Sequence, residues 1–249
     1  MSNVIPVIAV DGPGGTGKGT VCAGLSARLG WHLLDSGALY RAVALAAARA
    51  GIDLDHGSQV AELLPTLQIR FTREEGGAEP IRTWVGETDI SADIRTEECG
   101  AAASRVAAHS EVRTGLLARQ RAYRKEPGLV ADGRDMGTVV FPDAGLKIYL
   151  TASVEVRAQR RLKQLKQKGI DVSLRRLFAD ISGRDARDQG RLVSPMRPAD
   201  DAVILDTSNR DAEAVFAQIL ELTRQRYPRA VQDGSTKDPN ILLPPDRRQ

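Results

Sequence analysis

The segment Gly12-Pro-Gly-Gly-Thr-Gly17-Lys18-Gly19-Thr20 constrains this chain more than any other. It fits G-x-x-x-x-G-K and follows the apolar, β-branched run Val4 to Val10. After it, Val21, Leu25 and Leu29 recur at helical spacing until Gly30, where a helix would stop. A glycine loop between a buried strand and a helix turns several backbone N–H groups inward, and the helix N-terminus adds positive potential. Lys18 can then reach the β- and γ-phosphates of a bound nucleotide, so residues Gly12, Pro13, Gly14, Gly15, Thr16, Gly17, Lys18, Gly19 and Thr20 are expected to hold ATP. Trp31 to Leu34 reads as a second strand and completes a βαβ unit, the seed of a parallel sheet covered by helices.

Ala38 to Ala50 and Val60 to Leu64 read as helices. Leu67 to Phe71, Ile81 to Val85 and Thr88 to Ile90 read as short antiparallel strands, with Glu74 to Gly77 as the first hairpin connection. Helical spacing resumes over Glu97 to His109 and over Glu111 to Lys125, the latter with Ser110 as its N-cap. Leu129 to Ala131, Leu146 to Leu150 and Ala202 to Leu205 are short apolar runs suited to central strands. Ser153 to Lys168 and Ser173 to Asp188 are cationic helices, and Ser208 to Asp211 resembles a capping box for a last helix ending near Arg226.

The expected fold class is therefore α/β: a five-stranded parallel sheet with helices on both faces, a small antiparallel β insertion and a short helical lid. Residues 1–35, 96–152 and 192–227 are assigned to the core, 36–95 to the insertion and 153–191 to the arginine-rich lid. Residues 228–249 hold prolines and polar residues without periodicity and are expected to be disordered.

Apolar and charged fractions of 42% and 27% are ordinary for a globular protein. No apolar run reaches the ~18 residues that a membrane span needs, and the N-terminus enters a strand directly, so a cytoplasmic protein is expected. Cys22 and Cys99 show no CxxC spacing and read as small core residues. The net charge of +3 is modest, but arginine is concentrated in 105–134 and 157–191. Such density suits an acidic small molecule or a nucleic acid. With only one aromatic residue in each stretch, Tyr123 and Phe178, to stack on bases, the small molecule is favoured.

Three constellations give that molecule a site. Ser36, Tyr40 and Arg41 follow the second strand at the carboxyl edge of the sheet, across the cleft from the glycine loop, where they can hold a phosphate. Asp132, Arg134 and Asp135 follow a later strand at the same edge. Asp132 is a candidate carboxylate near magnesium, acting through water, with Thr20 as the nearest hydroxyl because Gly19 stands where P-loop enzymes usually carry Ser or Thr. Arg184, Arg187, Asp188 and Arg191 share one helix face at spacings of three and four. Arginines converging there would stabilise the charge that spreads over a phosphoryl group in transfer.

Together, Gly12-Pro-x-x-x-Gly-Lys-Gly-Thr20, the stretch Trp31 to Arg41, Leu129-Val-Ala-Asp-Gly-Arg-Asp-Met-Gly-Thr-Val-Val-Phe-Pro142 and Arg184-Asp-x-Arg-Asp-x-x-Arg191 resemble the bacterial-type cytidylate kinases. The resemblance runs almost to Tyr227, and the GKGT ending is characteristic of nucleoside monophosphate kinases rather than GTPases. It implies transfer of the γ-phosphoryl group of Mg-ATP to CMP or dCMP. A monomer is expected, with no nucleic acid or membrane involved. The resemblance further implies that Ser36, Tyr40, Arg41, Arg134 and Arg191 surround the acceptor phosphate, that Ser104, Arg113 and Asp135 read cytosine, and that Arg184 and Asp188 face the sugar. Lys18, Arg134, Arg184 and Arg191 would be the catalytic cations. Two alternatives stay open on the residues themselves: a kinase for another small acceptor such as UMP, AMP or shikimate, and a binding module without turnover.

Overall fold

The computed structural model describes residues 4–73, 81–167 and 169–232. Its first half runs β1 (Val7–Asp11), α1 (Lys18–Leu29), β2 (His32–Asp35), α2 (Ser36–Arg49), α3 (Gly57–Glu62), β3 (Ile69–Arg73), β4 (Ile81–Val85), β5 (Thr88–Asp89), α4 (Glu97–Val106) and α5 (Ser110–Arg121). β6 (Leu129–Asp132), β7 (Leu146–Thr151), α6 (Val154–Gln167), α7 (Leu174–Gln189), β8 (Val203–Asp206), α8 (Ala212–Arg226) and α9 (Pro228–Gln232) follow.

The five core strands pair in the order β2-β6-β1-β7-β8, every pair parallel. Parallel strands are covered on both faces, and their sequences are accordingly apolar without alternation. Val7, Ala9, Leu129, Ala131 and Leu34 face one core with α2, α4 and α5, where Leu39, Val43, Val106 and Leu116 are buried. Their neighbours Ile8, Val10, Val130 and Leu33 face the other, against Val21 and Leu25 of α1 and Ile219 of α8. β3, β4 and β5 form a separate antiparallel sheet, which buries Phe71 and Ile69 in the first core. α6 and α7 make a hairpin with a small core of its own, Ala158, Leu165 and Leu177.

Four local expectations need correction. β1 starts at Val7 and takes in Asp11, while Val4 is exposed. Ser110 does not cap α5: His109 holds the N-cap position without a side-chain bond, and Ser110 Oγ donates to Glu111 instead. The last helix is capped by Asp211, whose carboxylate accepts from Ala214 N at 2.7 Å, because Ser208 is already used in the turn after β8. There its N–H donates to Asp206 and its Oγ accepts from Ser153 N at 3.0 Å. Finally, Pro228 opens the short helix α9 instead of a loose tail. Proline suits a first helical position, and Val231 joins the α1–α8 core. The predicted hairpin connection Glu74 to Gly77 and the rest of the predicted tail, 233–249, lie outside the described residues. Among the described residues, no helix is long and apolar enough to cross a membrane.

Candidate active site

The glycine loop leaves β1 at Gly12, where φ is 135° and a Cβ would stand 2.0 Å from Leu150 O on β7. Only glycine can let the loop pass so close to the sheet. The loop ends at Gly17, a left-handed N-cap whose lack of a side chain leaves the first amides of α1 for a ligand. Thr16 Oγ1 and Lys18 Nζ both donate to Pro13 O, at 3.1 and 2.7 Å, which folds the lysine along the loop.

Around Lys18 the other elements deliver their charges. Asp132, at the end of β6, lies opposite Asp35 in register, and its Oδ2 is 3.8 Å from where a Gly19 Cβ would be. Burial pushes Asp132 up to about 6, with Asp35 adding to the shift and Lys18 opposing it. Lys18 is brought down to about 8 by burial and then by Arg134, against the pull of Asp132. Its ammonium is therefore fully charged below pH ~7 and is lost as pH rises through ~8. ATP affinity is expected to weaken through that range by up to about tenfold per pH unit, and Lys18→Met should remove the part of that slope centred near pH 8, leaving the part that Arg184 contributes near 9. Titrating a fluorescent ATP analogue from about pH 7.5 to 9.5 measures both.

Arginines close the opposite wall. A Cβ on Gly14 would lie 3.5 Å from Arg134 Nη2 and 3.7 Å from Arg184 Nη1, so both guanidinium groups stand over the glycine loop. A Cβ on Gly100 of α4 would lie 2.9 Å from Arg41 Nη2 and 3.3 Å from Arg184 Nη1. Arg184 thus spans from the loop to Arg41, which α2 presents and which the carbonyls of Ile94 and Thr96 anchor at 2.5 and 3.1 Å. The crowding has an electrostatic cost: burial, Arg134 and Arg41 lower Arg184 to about 9. Among the described residues, Arg184 Nε and Arg191 Nε are buried without hydrogen-bond partners. Cations held this closely, with donors to spare, suit a polyanion.

Asp188 organises the group. Its carboxylate accepts from Ser104 Oγ at 2.8 Å, from Arg134 Nε at 3.2 Å and from Arg191, and it lies 4.0 Å from Arg184 Nε. Burial alone would raise it, but Arg134, Arg191, Arg184 and Ser104 hold it below the ordinary carboxylate range. A second buried pair, Arg113 and Asp135, forms from α5 and the loop after β6. Tyr40 lies beneath it, its ring centroid 5.6 Å from the Arg113 guanidinium, and burial pushes its hydroxyl up to about 12. Ser36 Oγ packs at Gly133, 2.8 Å from where a Cβ would stand. The structure therefore places Tyr40 beside Arg113, and Ser104 with Asp188.

Asp11 and Thr207 carry no functional reading in the sequence, and Arg157 and Arg160 count there only as members of the arginine-rich lid. Asp11 binds the loop that holds Asp135, with its Oδ1 and Oδ2 each 2.8 Å from the amides of Met136 and Gly137. Arg157, buried, donates to Ala152 O, Gly14 O and Asp185, linking the residue just past β7, the glycine loop and α7. Arg160 donates to Thr207, whose own Oγ1 donates to Thr16 O at 3.2 Å. Thr207 stands just past the carboxyl end of a core strand, a position that the sheet topology alone could have flagged.

The glycine loop with Lys18, Asp132, Arg134, Arg157, Arg160, Thr207, Arg184 and Arg41 line one cleft of about 1510 Å³, which extends to Arg95, whereas Asp188, Ser104 and the Arg113–Asp135 pair are buried and do not line it. A parallel sheet in this order, a glycine loop after its central strand and an arginine-bearing hairpin after β7 define a P-loop kinase. The model of the cytidylate kinase family matches residues 8–225, and the chain belongs to that family. A cytidylate kinase from Nitrosococcus oceani is 54% identical over 220 residues, 88% of this chain and 96% of that protein. One from Klebsiella pneumoniae is 50% identical over 226 residues, covering 91% and 98%. Among solved structures, a gluconokinase from Sinorhizobium meliloti 1021 is a distant likeness, with a TM-score of 0.44 and 15% identity over 92% of this chain and 98% of that one.

Proposed function

We propose that this protein transfers the γ-phosphoryl group of ATP to CMP and dCMP, giving CDP and dCDP. The observation that carries the reading is the position of Arg184, in contact range of both the glycine loop at Gly14 and the acceptor side at Gly100 and Arg41. An arginine there touches donor and acceptor at once. The family of the chain and its identity to two cytidylate kinases support the choice of acceptor.

In this reading the amides of residues 12–20 and Lys18 hold the β- and γ-phosphates. Ser36, Arg41, Arg134 and Arg191 hold the acceptor phosphate, Ser104, Arg113 and Asp135 read the base, with Tyr40 supporting Arg113, and Asp188 faces the sugar. The acceptor phosphate is already a nucleophile, so no strong base is required; alignment and neutralisation of charge lower the barrier. The α6–α7 hairpin, within residues 153–191, acts as a lid that brings Arg184 and Arg191 over the reacting groups and excludes water.

Magnesium fits the residues present. Among the described residues no group of three or more acidic, histidine or cysteine side chains could cage a metal. Asp132 and Thr20 would hold a cation through water, which suits an ion that keeps much of its hydration shell. Bound, it would neutralise phosphate charge. We further place the protein in the cytoplasm as a monomer, a placement consistent with its two free, buried thiols, Cys22 and Cys99.

The test is product formation: CDP should appear in step with ADP when Mg-ATP and CMP are mixed with the protein, and EDTA should stop it. ADP release without CDP, or release unaffected by EDTA, would contradict the proposal.

A further inference from the structure

Asp135 occupies an unusual position for a residue assigned to base recognition. It is the N-cap of the single π-helical turn Met136–Val140, with φ −146° and ψ 23°, yet among the described residues its side chain makes no capping bond. An aspartate there would ordinarily fold back onto the amides two and three residues ahead, and such local bonds compete with any other use of the carboxylate. Instead, Asp135 is paired with Arg113. The first amides of the turn are taken by Asp11: Met136 N donates to Oδ1 and Gly137 N to Oδ2, each at 2.8 Å, from a strand 125 residues earlier in the chain. The fit is close, since a Cβ on Gly137 would stand 3.4 Å from Asp11 Oδ2.

We propose that Asp11 is a positioning residue for acceptor specificity: by capping the turn after Asp135 from β1, it frees the Asp135 carboxylate to face Arg113 and the acceptor base. Asp11 itself touches no substrate. It lies between two functions, directly before the glycine loop and directly under the base-reading loop, yet its bonds run only to the second. Its loss therefore perturbs acceptor selection more than ATP binding. This inference rests on Asp135 reading the base, as proposed above.

Asp11→Asn is nearly isosteric but keeps only one acceptor, so one amide of the turn is released and can draw Asp135 back. The KM for CMP should rise, and the preference for CMP over UMP should fall, each by about tenfold, the size of a lost helix cap. The KM for Mg-ATP should change much less. A merely structural role would lower stability and activity without this split. In an Asp135→Ala background, Asp11→Asn should have no further effect on the CMP to UMP ratio. Equal changes in the ATP and CMP constants, or full additivity in the double variant, would overturn the proposal. If Asp135→Ala alone leaves the ratio unchanged, the base-reading assignment has failed; if Asp135→Ala abolishes the ratio and Asp11→Asn does not alter it, the role of Asp11 has failed. Should Asp11→Asn not fold, hydrogen exchange on the unaltered protein decides: the Met136 and Gly137 amides must exchange as slowly as the core strands, and rapid exchange refutes the capping role.

Discussion

Replacing Arg184 with methionine should lower kcat for CMP phosphorylation by about 10³-fold or more, the range that a transferred-phosphoryl arginine supplies in related chemistry. The size follows from position. Arg184 is the cation in range of both the glycine loop and Arg41, and its charge is disfavoured where it stands, by burial and by two neighbouring arginines. A charge destabilised before reaction gains most when anionic oxygens arrive between it and its neighbours. That gain belongs to the transition state, so KM for either nucleotide should move far less than kcat. Methionine keeps the stem that packs in the cleft and removes the guanidinium. Removing a cation from a crowded cluster should leave thermal stability unchanged or raised, which separates loss of catalysis from loss of fold. Steady-state rates and a melting curve measure both.

The second large effect is expected at Asp135. Asp135→Ala should erase a preference for CMP over UMP worth about 1–3 kcal/mol, or roughly five- to 150-fold. A carboxylate accepts from the 4-amino group of cytosine and has no proton for the O4 of uracil. Asp135→Asn sharpens the test, because the amide can donate to O4 while still accepting from Arg113; the preference should narrow or invert toward UMP. Alanine also strands a buried guanidinium, Arg113 being 7% exposed, and breaking such a pair costs about 3–5 kcal/mol. The asparagine variant should therefore melt well above the alanine one. Rates with both acceptors, set beside the two melting temperatures, separate recognition from stability.

What could be read in the sequence was whatever depends on neighbours in the chain. The glycine loop, the βαβ unit and the five apolar strands are local patterns, and each appears in the fold within a few residues of its expected place. The 3.6-residue spacing also brought Arg184 and Asp188 onto one face of α7, but Arg191 lies past the helix end at Gln189 and reaches Asp188 from the chain beyond Gly190. Contacts between distant segments were not legible. Nothing near Asp11 in sequence announces that it binds amides at Met136 and Gly137, and nothing near Arg157 announces the carbonyl of Gly14, 143 residues away. Both are long-range hydrogen bonds created by strand order. The caps failed differently: Ser208 and Asp211 both suit an N-cap, and only the turn that consumes Ser208 after β8 decides for Asp211. Val231 was lost among prolines and polar residues because a five-residue helix is too short to show periodicity.

The central claim is that one cleft joins ATP to a cytosine nucleotide, and initial rates of ADP release from Mg-ATP with CMP, dCMP, UMP and AMP at equal concentration test it most directly. CMP and dCMP should be the fastest acceptors, UMP should be slower and AMP slower still; a best rate with UMP or AMP, or turnover with none of the four, would contradict it.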